Sequence, residues 1–205
     1  MGPVAGMGNR KNVPPGIAFR QVSATPLYGM TASEPISFKH LSRDVSMPVT
    51  IVPARHDADR ATCARLMCET DPWITLGRSY DRCLVAVSDA GRELYVALDG
   101  DAVAGFILIT MKGQFPGYIA SVCVAPAARG SGLGTTLVEF AEERIHRESP
   151  NVFLCVSSFN EGARRLYERL GFEYVGTLKD YIVKGYDELL YRKTIGPWSE
   201  FVPEE

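Results

Sequence analysis

The stretch that decides the fold reads VCVAPAARGSGLG, from Val122 to Gly134. It begins as an apolar strand, passes Ala125-Pro126, and becomes a glycine-rich turn. Apolar residues then recur at helical spacing up to Pro150: Leu133, Leu137, Phe140, Ala141 and Ile145. A strand, a glycine turn and a helix in succession expose backbone N–H groups at the positive end of the helix dipole. The pattern predicts an anion-binding site at Arg129 to Gly134.

Other readings of this turn are open to test. The glycines could simply form a tight turn. A P-loop requires a lysine before the Ser or Thr, whereas Gly134 is followed directly by Thr135. A dinucleotide fold requires an acidic residue at the end of the next strand, where this chain has Leu154-Cys155-Val156-Ser157. Both of the better-known phosphate loops therefore fit poorly.

A second motif follows at an interval of one helix and one short strand. It reads NEGARRLYERLGF from Asn160 to Phe172. Asn160, Ala163 and Tyr167 lie three and four residues apart, so they share one helix face. Gly171 stands where a left-handed helix cap is expected. Taken alone, Tyr167 could be a core aromatic residue and Asn160 an ordinary N-cap.

Together the two motifs resemble the GCN5-related N-acetyltransferase superfamily, whose signature is R/Q-x-x-G-x-G/A followed later by N-x-x-A-x-x-L-Y-x-x-x-G-F. The resemblance implies an α/β (α+β) fold. Its central sheet would be mixed, mostly antiparallel, of about six or seven strands, and flanked by helices. It also implies acetyl-CoA as co-substrate and a reaction without a metal.

The resemblance also implies roles for individual residues. Cofactor contacts fall on Val122, Cys123, Val124, Arg129, Gly130, Ser131, Gly132, Leu133, Gly134, Thr135 and Asn160. The first three would offer backbone groups to the pantetheine arm and the acetyl carbonyl. Arg129 to Thr135 would wrap the pyrophosphate. Tyr167 would stand near the thioester sulfur as the catalytic residue.

The proton chemistry limits what Tyr167 can do. A phenol with a pKa near ~10 would transfer its proton uphill to a thiolate with a pKa near ~8.5, at a cost of ~2 kcal/mol. We therefore expect Tyr167 to donate a hydrogen bond to the departing sulfur, or to relay a proton that starts on the amine. Backbone N–H groups of Val122 to Val124 could stabilise the oxyanion.

The base that deprotonates the amine is not identifiable from the sequence. In the ribosomal-protein alanine acetyltransferase branch an acidic residue precedes the asparagine, but the matching position here is Cys155. Ser121, Tyr181 or Glu69 acting through water are the candidates. Cys155 and Cys123 have no adjacent histidine and are expected to be small buried residues, which argues against an acyl-enzyme. Tyr181 also faintly resembles the acceptor-lining tyrosine of peptide N-terminal acetyltransferases.

The composition is that of a soluble globular protein. The chain has 205 residues, 46% of them hydrophobic, and a net charge of -2 that gives no reason to expect nucleic acid or an anionic membrane as partner. Its five cysteines include no C-x-x-C pair, and no stretch approaches the ~20 apolar residues of a membrane span. A cytoplasmic location is expected.

Three segments are predicted. Residues 1–46 mix glycines, prolines and polar residues and are expected to be a flexible or loosely docked extension. Residues 47–195 form the domain, and residues 196–205 a tail. Expected elements are strands at 48–53, 93–98, 102–111, 118–124, 152–156, 172–183 and 187–194, with helices at 57–69, 133–149 and from 160, and an irregular helical stretch at 73–84.

The leading hypothesis is an N-acetyltransferase that acts on a primary amine by direct transfer in a ternary complex. The amine could be a peptide N-terminus, a lysine or a small molecule. A non-catalytic acyl-CoA-binding sensor is the alternative, because it would keep the glycine loop without needing Tyr167. An interaction protein that docks partners through residues 1–46 and the tail is a third class, and a homodimer is an option for the assembly.

Overall fold

The computed structural model describes residues 36–37 and 49–204. Its strands are β1 Ile36–Ser37, β2 Thr50–Pro53, β3 Glu93–Asp99, β4 Ala102–Thr110, β5 Tyr118–Val124, β6 Asn151–Ser157, β7 Glu173–Val183 and β8 Tyr186–Thr194. Its helices are α1 Asp57–Cys68, α2 Tyr80–Val87, α3 Leu133–His146 and α4 Glu161–Arg169. None of the helices in this part of the chain is long and apolar enough to cross a membrane. Apart from β1, the predicted extension lies outside the described residues.

One sheet contains all eight strands in the order β1-β2-β3-β4-β5-β6-β8-β7. Neighbouring strands are antiparallel, with the exception of the parallel pair β5 and β6. The expected mixed, mostly antiparallel sheet is therefore confirmed. The two-residue β1, which pairs with β2, is the additional strand beyond the six or seven expected.

The core lies on both faces of the central strand β4. Phe106 and Leu108 pack in the cluster that contains the buried residues of α1 and α2. Ile107 and Ile109 pack in the other cluster, which contains the buried faces of α3 and α4. All four side chains are fully buried. Because successive side chains of a strand point to opposite faces, a continuous apolar run such as β4 must be covered by helices on both sides.

The second helix lies further along the chain than the sequence pattern predicts. The irregular helical stretch expected at 73–84 is correct only for residues 80–84, since residues 73–77 form turns and α2 runs from Tyr80 to Val87. Gly77 has a φ of 63°, which ends the turn in a left-handed conformation. Ser79 then caps α2, its hydroxyl oxygen accepting a hydrogen bond from the amide of Arg82 at 3.4 Å.

Candidate active site

A cleft opens where the two parallel strands separate. β5 and β6 pair through two residue pairs, Tyr118 with Phe153 and Ile119 with Leu154. Beyond these pairs, residues of both strands line a cleft of about 840 Å³. The remainder of β5 on this side has no strand partner among the described residues. Its backbone groups are therefore available to a ligand.

The direction of these backbone groups follows from the pairing of β5 with β4. The amide of Ala125 donates to the carbonyl oxygen of Ala104 at 2.8 Å, towards β4. Successive amides of a strand point to opposite edges, so the N–H groups of Val124 and Val122 point into the cleft. The Nε of Arg129 donates to the carbonyl oxygen of Val124 at 3.3 Å on that side. The N–H groups of Val122 and Val124 are the donors suited to a developing oxyanion.

The glycine loop forms the second wall of the cleft. The amides of Gly130, Ser131, Gly132, Gly134 and Thr135 make no hydrogen bond within the described residues. The first helical bond of α3 runs from the amide of Thr136 to the carbonyl of Gly132. Gly130 and Gly132 have φ angles of 79° and 90°, and a Cβ on either would project into open space. Five unpartnered amides at a helix N-terminus form a cradle for phosphate oxygens.

The residues of this loop contribute in different ways. The Ser131 hydroxyl turns back, donating to the carbonyl of Ala128 at 2.8 Å and accepting from the amide of Leu133 at 3.4 Å. The hydroxyl of Ser131 is thus engaged within the loop, its backbone amide has no partner, and Ser131 is not among the residues that line the cleft. A Cβ on Gly134 would lie 3.6 Å from Leu166, an ordinary van der Waals distance, so the packing of α3 against α4 does not itself require glycine there.

Asn160 and Tyr167 of the second motif both line the cleft. The Oδ1 of Asn160 accepts a hydrogen bond from the amide of Ala163 at 3.2 Å and caps α4. Asn160 is therefore a helix cap whose NH₂ group stays available to a ligand. The sequence left two roles open for Asn160, a helix cap and a cofactor contact, and its side chain can fill both at once.

Tyr167 is only 8% exposed, and its ring packs edge-on against Phe172 at 5.8 Å between centroids. Burial raises the pKa of its hydroxyl to about 12. At neutral pH the group is therefore protonated. Transfer of its proton to a thiolate with a pKa near ~8.5 would cost ~5 kcal/mol. This larger difference between the two pKa values favours a role in which Tyr167 donates a hydrogen bond to the sulfur over one in which it gives up its proton.

The two cleft cysteines are poor nucleophiles. The Cys123 thiol is buried, lies 3.7 Å from the carbonyl oxygen of Leu66, and has its pKa raised to about 11 by burial. Burial also raises the pKa of Cys155, although a hydrogen bond with Tyr118 opposes the change. Thiols with raised pKa values hold little thiolate at neutral pH. Cys123 lines the cleft, but its N–H and C=O face β4, where it pairs with Phe106, so its backbone is not free for the cofactor contact expected of it.

Two of the three expected candidate bases lie at the cleft. Ser121 and Tyr181 line it, whereas Glu69 lies exposed just beyond α1 and does not. The Ser121 hydroxyl donates to the carbonyl oxygen of Ala120 at 2.7 Å. The residue that sequence reasoning missed is Glu188, a carboxylate in β8 that lines the cleft and is 3% exposed. The available signal was an acidic residue in the middle of a strand, where charged side chains are rare.

Aromatic residues from two further segments line the cleft, and we call the part that they line its mouth. Trp73 lines it from the segment between α1 and α2. In the second of these segments the pairing of β7 with β8 jumps from Leu178–Glu188 to Val183–Tyr186, so residues 179–182 bulge out. Tyr181 belongs to this bulge, lines the cleft and is 64% exposed. This end is open to a second substrate.

Comparison with known proteins identifies the family. Residues 59–172, more than half of the chain, match the model described as Acetyltransferase (GNAT) family. The chain is 30% identical over 162 residues to N-alpha-acetyltransferase RimI of Mycobacterium tuberculosis, covering 73% of this chain and 94% of the relative. It is 27% identical over 150 residues to N-alpha-acetyltransferase 30 of Schizosaccharomyces pombe, covering 70% and 96%.

A solved structure shares the fold. Arabidopsis thaliana NAA60, in complex with acetyl-CoA, superposes with a TM-score of 0.60 at 17% identity, covering 72% of this chain and 98% of that one. The sheet order, the separated parallel strands and the two motifs thus agree with the family match. The chain belongs to the GNAT acetyltransferase family.

Proposed function

We propose that this protein is an N-acetyltransferase that moves an acetyl group from acetyl-CoA to a primary amine by direct transfer in a ternary complex. The observation that carries the proposal is the continuity of one cleft. It joins the free amides of the glycine loop, the inward N–H groups of Val122 and Val124, the Tyr167 hydroxyl, and an open mouth beside Tyr181. A donor and an acceptor can therefore meet without a covalent enzyme intermediate.

The glycine loop fits the donor. The five unpartnered amides of the loop, all but that of Leu133 between Gly130 and Thr135, can bind the pyrophosphate oxygens. Open space lies where a Cβ on Gly130 or Gly132 would point. The unpaired edge of β5 can bind the amides of the pantetheine arm as an added strand would. When bound, acetyl-CoA supplies an activated acyl group. NAA60, which shares the fold, was solved in complex with acetyl-CoA.

Two groups of the chain would act on the reacting thioester. The N–H groups of Val122 and Val124 would stabilise negative charge on the acetyl oxygen. Tyr167 would donate a hydrogen bond to the departing sulfur and pass on a proton that comes from the amine, because its raised pKa prevents net proton loss. Cys123 and Cys155 would take no part.

A peptide N-terminus is the first acceptor to test. Two relatives are named N-alpha-acetyltransferases. The aromatic sides of the mouth, formed by Trp73 and by Tyr181 of the β7 bulge, suit the first residues of an extended peptide. Lysine side chains and small amines are the other acceptors to test.

The proposal also includes a domain at 47–195, formation of a homodimer and a cytoplasmic location. The five free cysteines support the location.

The test is release of free thiol from acetyl-CoA by the full chain, measured over a panel of peptides with free α-amino groups, ε-amino lysine peptides and small primary amines. Calorimetric titration with acetyl-CoA accompanies it. Turnover with one amine class, and none with the same amine already acetylated, would support the enzyme. Binding of acetyl-CoA without thiol release for any amine would instead establish the non-catalytic sensor.

A further inference from the structure

Glu188 is a buried carboxylate in the wall of the cleft. It lies in β8 directly opposite Ser157 of β6. The Ser157 hydroxyl donates to its Oε1 at 2.6 Å, and both side chains are at most 3% exposed. Both residues line the same cleft as Tyr167. The carboxylate is thus held in one orientation by a hydrogen bond that favours its charged form.

No cation of the described residues lies within ion-pair distance of this carboxylate, although Arg129 and Arg169 also line the cleft. Other shielded carboxylates have partners, such as Glu142 with Lys193 and Glu93 with Arg144, but none of the ion pairs includes Glu188. Buried charges in proteins are normally paired, because an isolated charge in a low-dielectric site is costly. Burial accordingly raises the pKa of Glu188, while the Ser157 hydrogen bond opposes the change. A cation that enters the cleft would meet a carboxylate without an ion-pair partner.

The groups around Glu188 suit an ammonium ion. Tyr118 of β5, Cys155 of β6 and Tyr181 of β7 line the same cleft. Burial raises the pKa of Tyr118 and of Cys155, so neither competes as an anion. Aromatic rings also attract cations. Asp71, on the segment after α1, is the other acidic residue in the lining of the cleft, and its side chain is exposed.

Resting on the proposed function, we infer that Glu188 binds the primary ammonium group of the acceptor and takes one proton from it before the amine attacks the acetyl carbonyl. The N–H bond breaks and an O–H bond forms on Glu188. The neutral amine then forms the new C–N bond as the C–S bond breaks. The second proton of the former ammonium passes to the departing sulfur through the Tyr167 hydroxyl, and Glu188 releases its proton to solvent. The acceptor class that follows is a protonated, unhindered primary amine.

Glu188→Gln tests this role because glutamine keeps the size and the acceptor oxygen for Ser157. We expect kcat/KM for the amine to fall about 100-fold at neutral pH, within the range of general base catalysis. The affinity for acetyl-CoA, measured by calorimetry, should stay unchanged. Glu173→Gln is the matched control, since Glu173 is exposed in neighbouring β7 and its side chain makes no hydrogen bond or ion pair within the described residues. It should behave like the wild type.

The pH profile separates a proton acceptor from a structural carboxylate. In the wild type, kcat/KM should rise as Glu188 ionises and then level off below the pKa of the amine. In Glu188→Gln the amine must arrive already neutral, so kcat/KM should keep rising with pH through the amine pKa, near ~8 for a peptide N-terminus. An unchanged pH profile and an unchanged kcat/KM would overturn the inference.

Ser157→Ala provides a second variant if glutamine impairs folding. Loss of its hydrogen bond removes a cause that lowers the pKa of Glu188, so the acidic limb of kcat/KM should move to higher pH. An acidic limb at the wild-type pH would contradict the role of Glu188. Absence of thiol release by the wild type with every amine would instead contradict the proposed function itself.

Discussion

Ile119 of β5 lies opposite Leu154 of β6 in the last residue pair that joins the two parallel strands. Both side chains are buried in the core beneath α3. Past this pair the strands separate, with the N–H groups of Val122 and Val124 on one side and the residues of β6 on the other. The paired part of β5 and β6 thus anchors the part where the two strands separate, and the cleft between the separated strands can hold two substrates.

Tyr167→Phe should lower kcat about 100-fold and leave the affinity for acetyl-CoA unchanged. The change removes only a hydroxyl that faces the cleft, and the ring keeps its contact with Phe172. Steady-state kinetics with the preferred amine and calorimetry with acetyl-CoA measure the two effects. Tyr174→Phe is the control, because Tyr174 is 55% exposed and its hydroxyl bonds to Thr177. Equal kcat in both variants would remove Tyr167 from the mechanism.

Gly132→Ala should weaken acetyl-CoA binding at least tenfold, or ~1.4 kcal/mol. Its Cβ would enter the space that we assign to the pyrophosphate, and its φ of 90° would strain the loop. Gly100→Ala is the matched control: it has a φ of 60° and open space, but lies in the turn between β3 and β4. Both variants should lose similar stability, ~1 to 2 kcal/mol. Equal acetyl-CoA affinities would contradict the pyrophosphate assignment.

Replacing both Cys123 and Cys155 with alanine should leave kcat within about threefold of the wild type, because direct transfer needs no thiol. Both thiols have raised pKa values, that of Cys123 to about 11, so they hold little thiolate at neutral pH. Mass spectrometry of the enzyme with acetyl-CoA alone should show no acetylated cysteine. A covalent acetyl group on either residue, lost on adding the amine, would contradict the ternary mechanism.

Gly117→Ala should cost ~2 to 3 kcal/mol more stability than Gly113→Ala. Both glycines have a positive φ, 85° and 111°, so their backbone strain is comparable. A Cβ on Gly117 would collide with the carbonyl oxygen of Asn151 and with Ile145, whereas one on Gly113 would meet nothing. Chemical denaturation of the two variants measures the difference. Equal unfolding free energies would show that the junction of β5, β6 and α3 relaxes freely.

The features that could be predicted from the sequence are local ones. The strand Tyr118–Val124 and the start of α3 at Leu133 follow from apolar spacing and from glycines on either side of Ser131. Gly171, the second residue after the end of α4, has the expected left-handed φ, 84°. Each of these signals depends on neighbours within a few residues, which is the range over which propensity and capping act.

Long-range pairing could not be predicted in the same way. Glu188 reaches the cleft because β8 pairs with β6, so that Ser157 lies opposite it. Tyr181 reaches the mouth because residues 179–182 bulge out of β7. The start of α2 depends on the turn at Gly77, which lies in a stretch whose apolar spacing resembles a helix. Registers and bulges of this kind are set by packing across the sheet rather than by local composition.

The most direct test of the central claim is to incubate the full chain with acetyl-CoA and a peptide bearing a free α-amino group, and to follow both products at once. We expect free thiol and N-terminally acetylated peptide to form in a one-to-one ratio, with rates that depend on both substrates in an intersecting pattern. Thiol release that does not depend on any amine of the panel, or tight acetyl-CoA binding with no acetylated product, would contradict the account.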